Sequence, residues 1–227
     1  MTVPGSESPR IFRYAGCVGL LVFSLMMTSF GRANNAWIVL SRPSEMDKFQ
    51  RGVRGLDCYE TIDYHEHRLT CLPWAANYSI RVNTFAELRP LHASLYVHMA
   101  YFIAILIMIS QVVSLAFTIG HCCSWRFSES ADEFRVYTVF VVSVTVGLWI
   151  VLFAMYVYEA FSDTILPARL MKPGWSCEIG SGCWMFFVGG MFPYIGAIVC
   201  LFGSEIHDTL REVSRNRRLP VPTNNQV

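Results

Sequence analysis

The chain has 227 residues, of which 53% are hydrophobic and only 15% are charged. Soluble domains carry about 25% charged residues, so this composition argues against an ordinary cytosolic globular protein. The net charge of +1 provides no basic field for nucleic acid, and the aromatic content of 14% excludes disorder for the bulk of the chain.

Four long stretches contain no Asp, Glu, Lys or Arg, at 14–31, 91–119, 136–158 and 179–204. A helix needs about 20 mainly apolar residues to cross the hydrocarbon core of a bilayer. One small soluble domain cannot bury four such stretches, because too little polar surface would remain to cover them. We therefore predict an integral membrane protein, mainly α-helical, with four transmembrane helices over these ranges.

The first stretch follows Arg10 and Arg13, and it has the alternative interpretation of a secretory signal peptide cut near Gly31 or Ala33. A signal h-region usually spans about 7–15 residues, and this uncharged run is longer. We therefore expect the first helix to be retained in the protein.

The polar remainder consists of two tails, at 1–13 and 205–227, and three loops, at 32–90, 120–135 and 159–178. The basic residues are spread over both sides, so the positive-inside rule barely discriminates between the two orientations. The long first loop contains Cys58, Cys71 and the sequon Asn77-Tyr78-Ser79, which fit an oxidising, extracellular face. We therefore place both termini in the cytoplasm, the protein in the plasma membrane, and an N-glycan on Asn77.

The long loop has the pattern of β-structure. Residues 37–40 form a β-prone run ended by Pro43, and apolar and polar side chains alternate over 78–83. Short strands are marginal by themselves. A disulfide between Cys58 and Cys71 would stabilise them by on the order of 3 kcal/mol. The alternative is a flexible loop with two free thiols.

The long loop resembles the first extracellular loop of the claudin, peripheral myelin protein and clarin superfamily. In that superfamily a tryptophan follows the first helix, and a Gly-Leu-Trp sequence precedes a pair of cysteines. The matching residues here are Trp37, Gly55, Leu56, Cys58 and Cys71, with Asp57 in place of the tryptophan of Gly-Leu-Trp. Within the superfamily, the run at 88–92 and the turn at 125–127 most resemble the clarins. Nematode claudin-like proteins and calcium-channel gamma subunits are the alternatives.

The resemblance implies a left-handed four-transmembrane-helix bundle with a small extracellular β-sheet from the first loop. It implies that a disulfide between Cys58 and Cys71 staples two neighbouring strands of this sheet. Trp37 is expected to pack at the membrane-facing base of the sheet, where its indole would contact the lipid headgroups. Members of the superfamily are non-enzymatic proteins that organise cell contacts or accompany channels and receptors as auxiliary subunits.

The fourth predicted helix carries a stripe of glycines at seven-residue spacing. Its members are Gly182, Gly189, Gly196 and Gly203. Seven residues are close to two helical turns, so the glycines share one face, and small side chains let helix backbones approach closely in lipid. We expect this stripe to pack inside the bundle, with Gly16 and Gly19 as its counterpart on the first helix. The alternative is a docking face for a partner helix.

The predicted helices lack the ionisable residues that pumps place at membrane depth, so we expect no ion translocation. His98, about one turn inside the second helix, is expected to be an interfacial, hydrogen-bonded residue. His65-Glu66-His67 has no third ligand at a useful spacing for a metal. No nucleophile motif and no phosphate-binding loop is present. We therefore expect no enzyme activity, no metal and no cofactor.

The remaining cysteines have two interpretations each. Cys122 and Cys123 end the second helix, where juxtamembrane cysteines are often palmitoylated, and the alternative is two free thiols. Cys177 and Cys183 precede and begin the fourth helix, and they either pair with each other or remain thiols. In the C-terminal tail, arginines at 211–218 suit anionic lipid of the inner leaflet, and the terminal valine permits binding to a PDZ-type groove.

These features together predict a non-enzymatic, claudin-like or clarin-like tetraspan protein. We expect it to organise cell adhesion, junctions or a membrane complex through its extracellular loop. The alternative function is that of an auxiliary subunit that modulates an ion channel or receptor. The expected partners are membrane lipid and other membrane proteins, with no nucleic acid.

Overall fold

The computed structural model describes residues 8–42, 47–63, 66–77, 79–80, 95–124, 128–161 and 176–203. Four helices in these ranges are long and apolar enough to cross a membrane, and they pack together. They are α1 (Ser8–Ala33), α2 (Leu95–Ser124), α3 (Ser128–Phe161) and α4 (Ser181–Gly203). The prediction of a mainly α-helical, four-span membrane protein is confirmed.

The helix α3 begins before the apolar run that predicted it. Its candidate membrane span is Tyr137–Tyr158, whereas the helix already starts at Ser128. A hydropathy pattern marks the part of a helix that is in the hydrocarbon, and a charged turn continues the same helix into water. Residues 128–135, expected as part of a loop, are therefore helical.

A five-stranded antiparallel sheet lies at one end of the bundle, in the order β4-β3-β2-β1-β5. Its strands are β1 (Ile38–Arg42), β2 (Asp47–Arg51), β3 (Leu56–Asp63), β4 (Glu66–Pro73) and β5 (Ser176–Ile179). The first four strands come from the long loop, which confirms the predicted sheet. The fifth strand comes from the loop before α4, where no strand was predicted.

The two faces of the sheet have different surroundings. Side chains alternate between faces along a strand, so Ile38 and Leu40 share one face with their cross-strand partners Arg51 and Phe49. Ile38, Leu40 and Phe49 are fully buried in the same hydrophobic cluster as residues of the helices. We call this the inner face, and the opposite side the outer face.

The prediction of a β-strand at 78–83 is wrong for the residues of this range that the structure describes. Ser79 and Ile80 are helical, and the other residues of this range lie outside the described part of the chain. After β4 the chain turns, with the backbone N–H of Trp74 donating to the carbonyl of Gly55 and that of Ala76 to Pro73. A strand also needs a neighbouring strand to pair with its backbone N–H and C=O groups, and an alternating sequence does not supply that neighbour.

The glycine stripe of α4 is in close contact with α1 and the segment that follows it over only half of its length. A Cβ on Gly182 would lie 2.6 Å from Cδ1 of Trp37, and one on Gly189 would lie 2.6 Å from Cε of Met27. Gly196 and Gly203 would meet nothing closer than 3.9 Å. The stripe is therefore an internal contact at the end nearest the sheet.

The counterpart predicted on α1 is wrong. A Cβ on Gly16 or Gly19 would meet nothing within 4 Å, whereas one on Gly31 would lie 2.5 Å from the backbone nitrogen of Phe186. The close approach thus occurs at the sheet end of α1. There α4 adopts π-helical turns over Met185–Met191, and Pro193, which has no N–H to donate, follows them.

Candidate functional site

Trp37 fixes the sheet to three helices. Its side chain is fully buried, and its ring centroid lies 4.7 Å from that of Tyr156 in α3 and 5.0 Å from that of Phe186 in α4. Its Nε1 donates a 2.7 Å hydrogen bond to the carbonyl of Gly31, in the last turn of α1. The expected contact with lipid headgroups is wrong, because protein surrounds the indole on all sides and supplies its hydrogen-bond acceptor.

The disulfide joins Cys58 of β3 to Cys71 of β4, as predicted. The two residues are directly opposite in the register, with their Cα atoms 4.0 Å apart. Cys58 also pairs with Gln50, whereas the inward-facing Arg51 pairs with Asp57. The disulfide therefore lies on the outer face, where it holds the edge strand β4 to the rest of the sheet.

A buried ion pair occupies the inner face beneath the disulfide. Nε of Arg51 lies 2.8 Å from Oδ1 of Asp57 and Nη2 lies 3.0 Å from Oδ2, a two-point contact between fully buried side chains. Nε1 of Trp74 donates a third hydrogen bond, of 3.2 Å, to Oδ1 of Asp57. Residue 57 therefore holds one member of a buried charge pair on the inner face of the sheet.

Sequence reasoning missed this pair, although a signal for it exists. Asp57 lies between Leu56 and Cys58 in the β-prone loop, and an alternating pattern that turns Cys58 outward turns Asp57 inward. An inward carboxylate requires a buried cationic partner. The identity of that partner depends on the pairing of β2 with β3, which the sequence did not reveal.

Trp74 connects the ion pair to α2. Its ring centroid lies 5.3 Å from that of His98 and 6.4 Å from that of Tyr101, both in an edge-on arrangement. Tyr101 in turn lies below the guanidinium of Arg32, whose Cζ is 5.6 Å from the ring centroid. The sheet is thus in contact with all four helices, and His98 lies at the junction of helix and sheet.

The segment between α1 and β1 provides further attachment. Nδ2 of Asn35 donates to the carbonyls of Gln50 and Leu56, at 3.0 Å and 3.1 Å, and so joins the ends of β2 and β3. Nδ2 of Asn34 donates to Oγ of Ser181 at the start of α4, at 3.1 Å. Both amides hold the sheet at a fixed position over the bundle.

The second loop is part of the same sheet. All four residues of β5 pair with β1, and the backbone N–H of Gly180 continues the ladder by donating to the carbonyl of Trp37. No disulfide joins Cys177 of β5 to Cys183 of α4, which decides between the two alternatives in favour of thiols. Burial, together with the neighbouring Glu178, raises the pKa of the Cys177 thiol to about 11.

Hydroxyl and amide groups connect the helices at membrane depth. Nε2 of Gln111 in α2 donates to Oγ of Ser24 and Oγ1 of Thr28 in α1, at 2.8 Å and 3.0 Å. Ser24 donates onward to the carbonyl of Gly190 in α4, at 2.6 Å. Tyr194 of α4 hydrogen-bonds to Ser114 of α2. These bonds fix the relative positions of three helices.

The structure places the other predicted sites separately. Asn77 is exposed and follows the turn after β4, and Cys122 and Cys123 lie in the last turn of α2. His65 and the tail from 204 onward lie outside the described residues. Among the residues that are described, no three His, Cys, Asp or Glu side chains come close enough to hold a metal ion.

No family model matches the chain, and no curated protein matches it in sequence. The protein is therefore classified by its architecture alone, as four long apolar helices with a disulfide-bonded antiparallel sheet.

Proposed function

We propose that this protein is a non-enzymatic tetraspan protein of clarin-like or claudin-like type that organises cell adhesion or a membrane complex through its sheet. The observation that supports the proposal most is that both loops on one side of the bundle contribute strands to a single sheet. The inner face of this sheet is packed on the helices, so only the outer face and its rim are available to a partner.

The outer face suits recognition of another protein. One row across the sheet pairs Ser176, Ser41, Lys48, Glu60 and Leu69 in neighbouring strands. Lys48 is exposed, and Leu69 is 57% exposed. A row that combines charges, hydroxyls and an exposed leucine provides the mixed chemistry of a protein interface.

We place this face outside the cell. The disulfide between Cys58 and Cys71 requires an oxidising compartment, and the exposed Asn77 of the sequon lies on the same side of the bundle. With an even number of spans, both termini are then cytoplasmic, and the protein is a multi-pass component of the plasma membrane.

The experiment compares substitutions by glutamate on and beside the outer face. Lys48→Glu and Leu69→Glu change the face, whereas Arg54→Glu is a matched control in the turn between β2 and β3. We expect all three variants to reach the cell surface with the disulfide intact. Clustering at contacts between expressing cells, or self-association in mild detergent, should be lost in the first two and kept in the control. Equal behaviour of Lys48→Glu, Leu69→Glu and the wild type would contradict the proposal.

A specific feature favours the second candidate, an auxiliary subunit of a channel or receptor. The membrane-facing side of α3 and α4 forms an aromatic groove of about 210 Å³, in which Trp184 is 50% and Phe192 is 60% exposed. Such a surface suits contact with another transmembrane helix. A stoichiometric channel or receptor that co-purifies with wild type and Leu69→Glu, and is lost in Phe192→Ala, would support this candidate instead.

A further inference from the structure

A second groove opens toward the membrane between α1 and α2. Its volume is about 490 Å³. Its lining is apolar except for one arginine and consists of Leu25, Arg32, Ile105, Met108, Ile109, Val112 and Val113. Ile109 and Val112 are each more than 50% exposed, at 54% and 51%, so the groove is open to the lipid rather than enclosed by the bundle.

Arg32 is the charged residue of this groove. It lies in the last turn of α1, at the sheet end of the candidate span Tyr14–Ala33. Cζ of its guanidinium lies 5.6 Å from the ring centroid of Tyr101, and its Nε is buried without a hydrogen-bond partner. Arg32 as a whole is only half-buried, so its guanidinium can still be reached from the groove, and a buried donor such as Nε is costly without an acceptor.

We propose that the groove binds one phospholipid from the leaflet on the sheet side, with an acyl chain between α1 and α2 and the phosphate on Arg32. Arginine presents a planar fork of donors that matches phosphate oxygens in pairs. The neighbouring ring of Tyr101, 5.6 Å from Cζ, places this fork at the sheet end of the groove. Charge complementarity therefore selects an anionic headgroup atom at this end of the groove.

The dimensions agree with a chain from one leaflet. From Ile105 to Val113 the lining extends eight residues along α2, which corresponds to about 12 Å at 1.5 Å per residue. One leaflet contributes about half of a hydrocarbon core of roughly 30 Å. The groove between α3 and α4 has no charged residue in its lining and so provides an internal comparison.

The test uses the full-length protein in phosphatidylcholine vesicles that contain a trace of photoactivatable probe. One probe is a phosphatidylcholine with a diazirine in its acyl chain, and the other is a diacylglycerol with the same chain and no phosphate. After illumination, peptides are mapped by mass spectrometry. The phospholipid probe should label the α2 segment around Met108 and Ile109 more strongly than the diacylglycerol probe does.

Two variants separate the charge from the groove. Arg32→Gln should lower phospholipid labelling of α2 by about tenfold, the effect of losing a hydrogen bond to a charged group, and leave diacylglycerol labelling unchanged. Ile109→Trp should block labelling by both probes, because it fills the groove with Arg32 intact. Neither variant should alter labelling of the groove between α3 and α4.

Folding is checked by the disulfide between Cys58 and Cys71 and by the protease digestion pattern. Arg32→Lys keeps the charge without the planar fork, so its phospholipid labelling of α2 should lie between that of wild type and that of Arg32→Gln. Equal labelling of α2 by the two probes in wild type, or unchanged phospholipid labelling in folded Arg32→Gln, would overturn the proposal.

Discussion

Replacing Asp57 by asparagine removes the charge that compensates Arg51 and leaves the size of the side chain almost unchanged. Both side chains are fully buried on the inner face of the sheet. Breaking a buried pair by removing one partner typically costs about 3–5 kcal/mol, because an uncompensated charge stays in a medium of low dielectric constant. Since about 1.4 kcal/mol corresponds to a factor of ten, local opening of β2 and β3 should increase by about 10²- to 10⁴-fold.

Hydrogen exchange followed by mass spectrometry measures this opening directly in the detergent-solubilised protein. The backbone amides of β2 and β3 report on the pair, and those of α3 report on the intact bundle. Glu178→Gln is the matched control, because it neutralises an exposed carboxylate on the outer face of β5. The control should change exchange by no more than a few-fold, since single exposed charges contribute little.

The double variant Arg51→Leu with Asp57→Leu distinguishes charge compensation from mere side-chain volume. Replacing both members of a buried pair by apolar residues is often neutral, so most of the protection should return. The indole N–H of Trp74 loses its acceptor in this variant, but Trp74 is only partly buried and water can replace the carboxylate. Wild-type exchange in Asp57→Asn, or a double variant whose β2 and β3 exchange as fast as those of Asp57→Asn, would refute this reasoning.

Two further predictions follow from the packing of α1 and from β5. Gly31→Ala should lower the thermal unfolding midpoint, because its Cβ would lie 2.5 Å from a backbone nitrogen of α4. The control Gly196→Ala, whose Cβ would lie 3.9 Å from its nearest neighbour, should leave the midpoint unchanged or raise it. Equal midpoints of the two variants would contradict the close contact at Gly31. The raised pKa of Cys177, about 11, keeps the folded thiol neutral, so stability falls as pH rises above the ordinary thiol pKa of 9.0 toward 11. Alkylation at pH 8 should be about 100-fold slower in the folded than in the unfolded protein, and a pH–rate profile with its midpoint below 9 would contradict the shift.

The helices were predictable because hydropathy over about 20 residues is a strong and local signal. In the first loop, β1 begins in the predicted β-prone run at 37–40, and the pairing of β3 with β4 agrees with the disulfide that the resemblance implied. No sequence signal marked β2, and the alternating run at 78–83 formed no strand where the structure describes it. The strand β5 was not predictable, because four residues acquire their conformation by pairing with a strand some 135 residues earlier, as in the contact between Ser41 and Ser176. The four residues of β5 are too few for their alternating pattern to predict a strand, which forms only because β1 lies beside it.

The candidate site was predictable to a smaller extent. The position of Trp37 after α1 indicated a structural role, but its complete burial depends on where α3 and α4 place their aromatic rings. The partner of Asp57 depends on strand register, and the contact of Arg32 with the ring of Tyr101 depends on the approach of two helices. These are non-local contacts, which periodicity and spacing do not encode.

The central claim is that both loops form one sheet, and a designed disulfide between β1 and β5 tests it most directly. Ser41 and Ser176 are directly opposite, and their Oγ atoms lie 3.0 Å apart. In a Cys177→Ser background, Ser41→Cys with Ser176→Cys should form a disulfide during expression, detected by mapping non-reduced peptides. Lys48→Cys with Ser176→Cys, whose positions are one strand further apart, should remain reduced. Reduced cysteines in the first pair, or equal oxidation in both pairs, would contradict the claim.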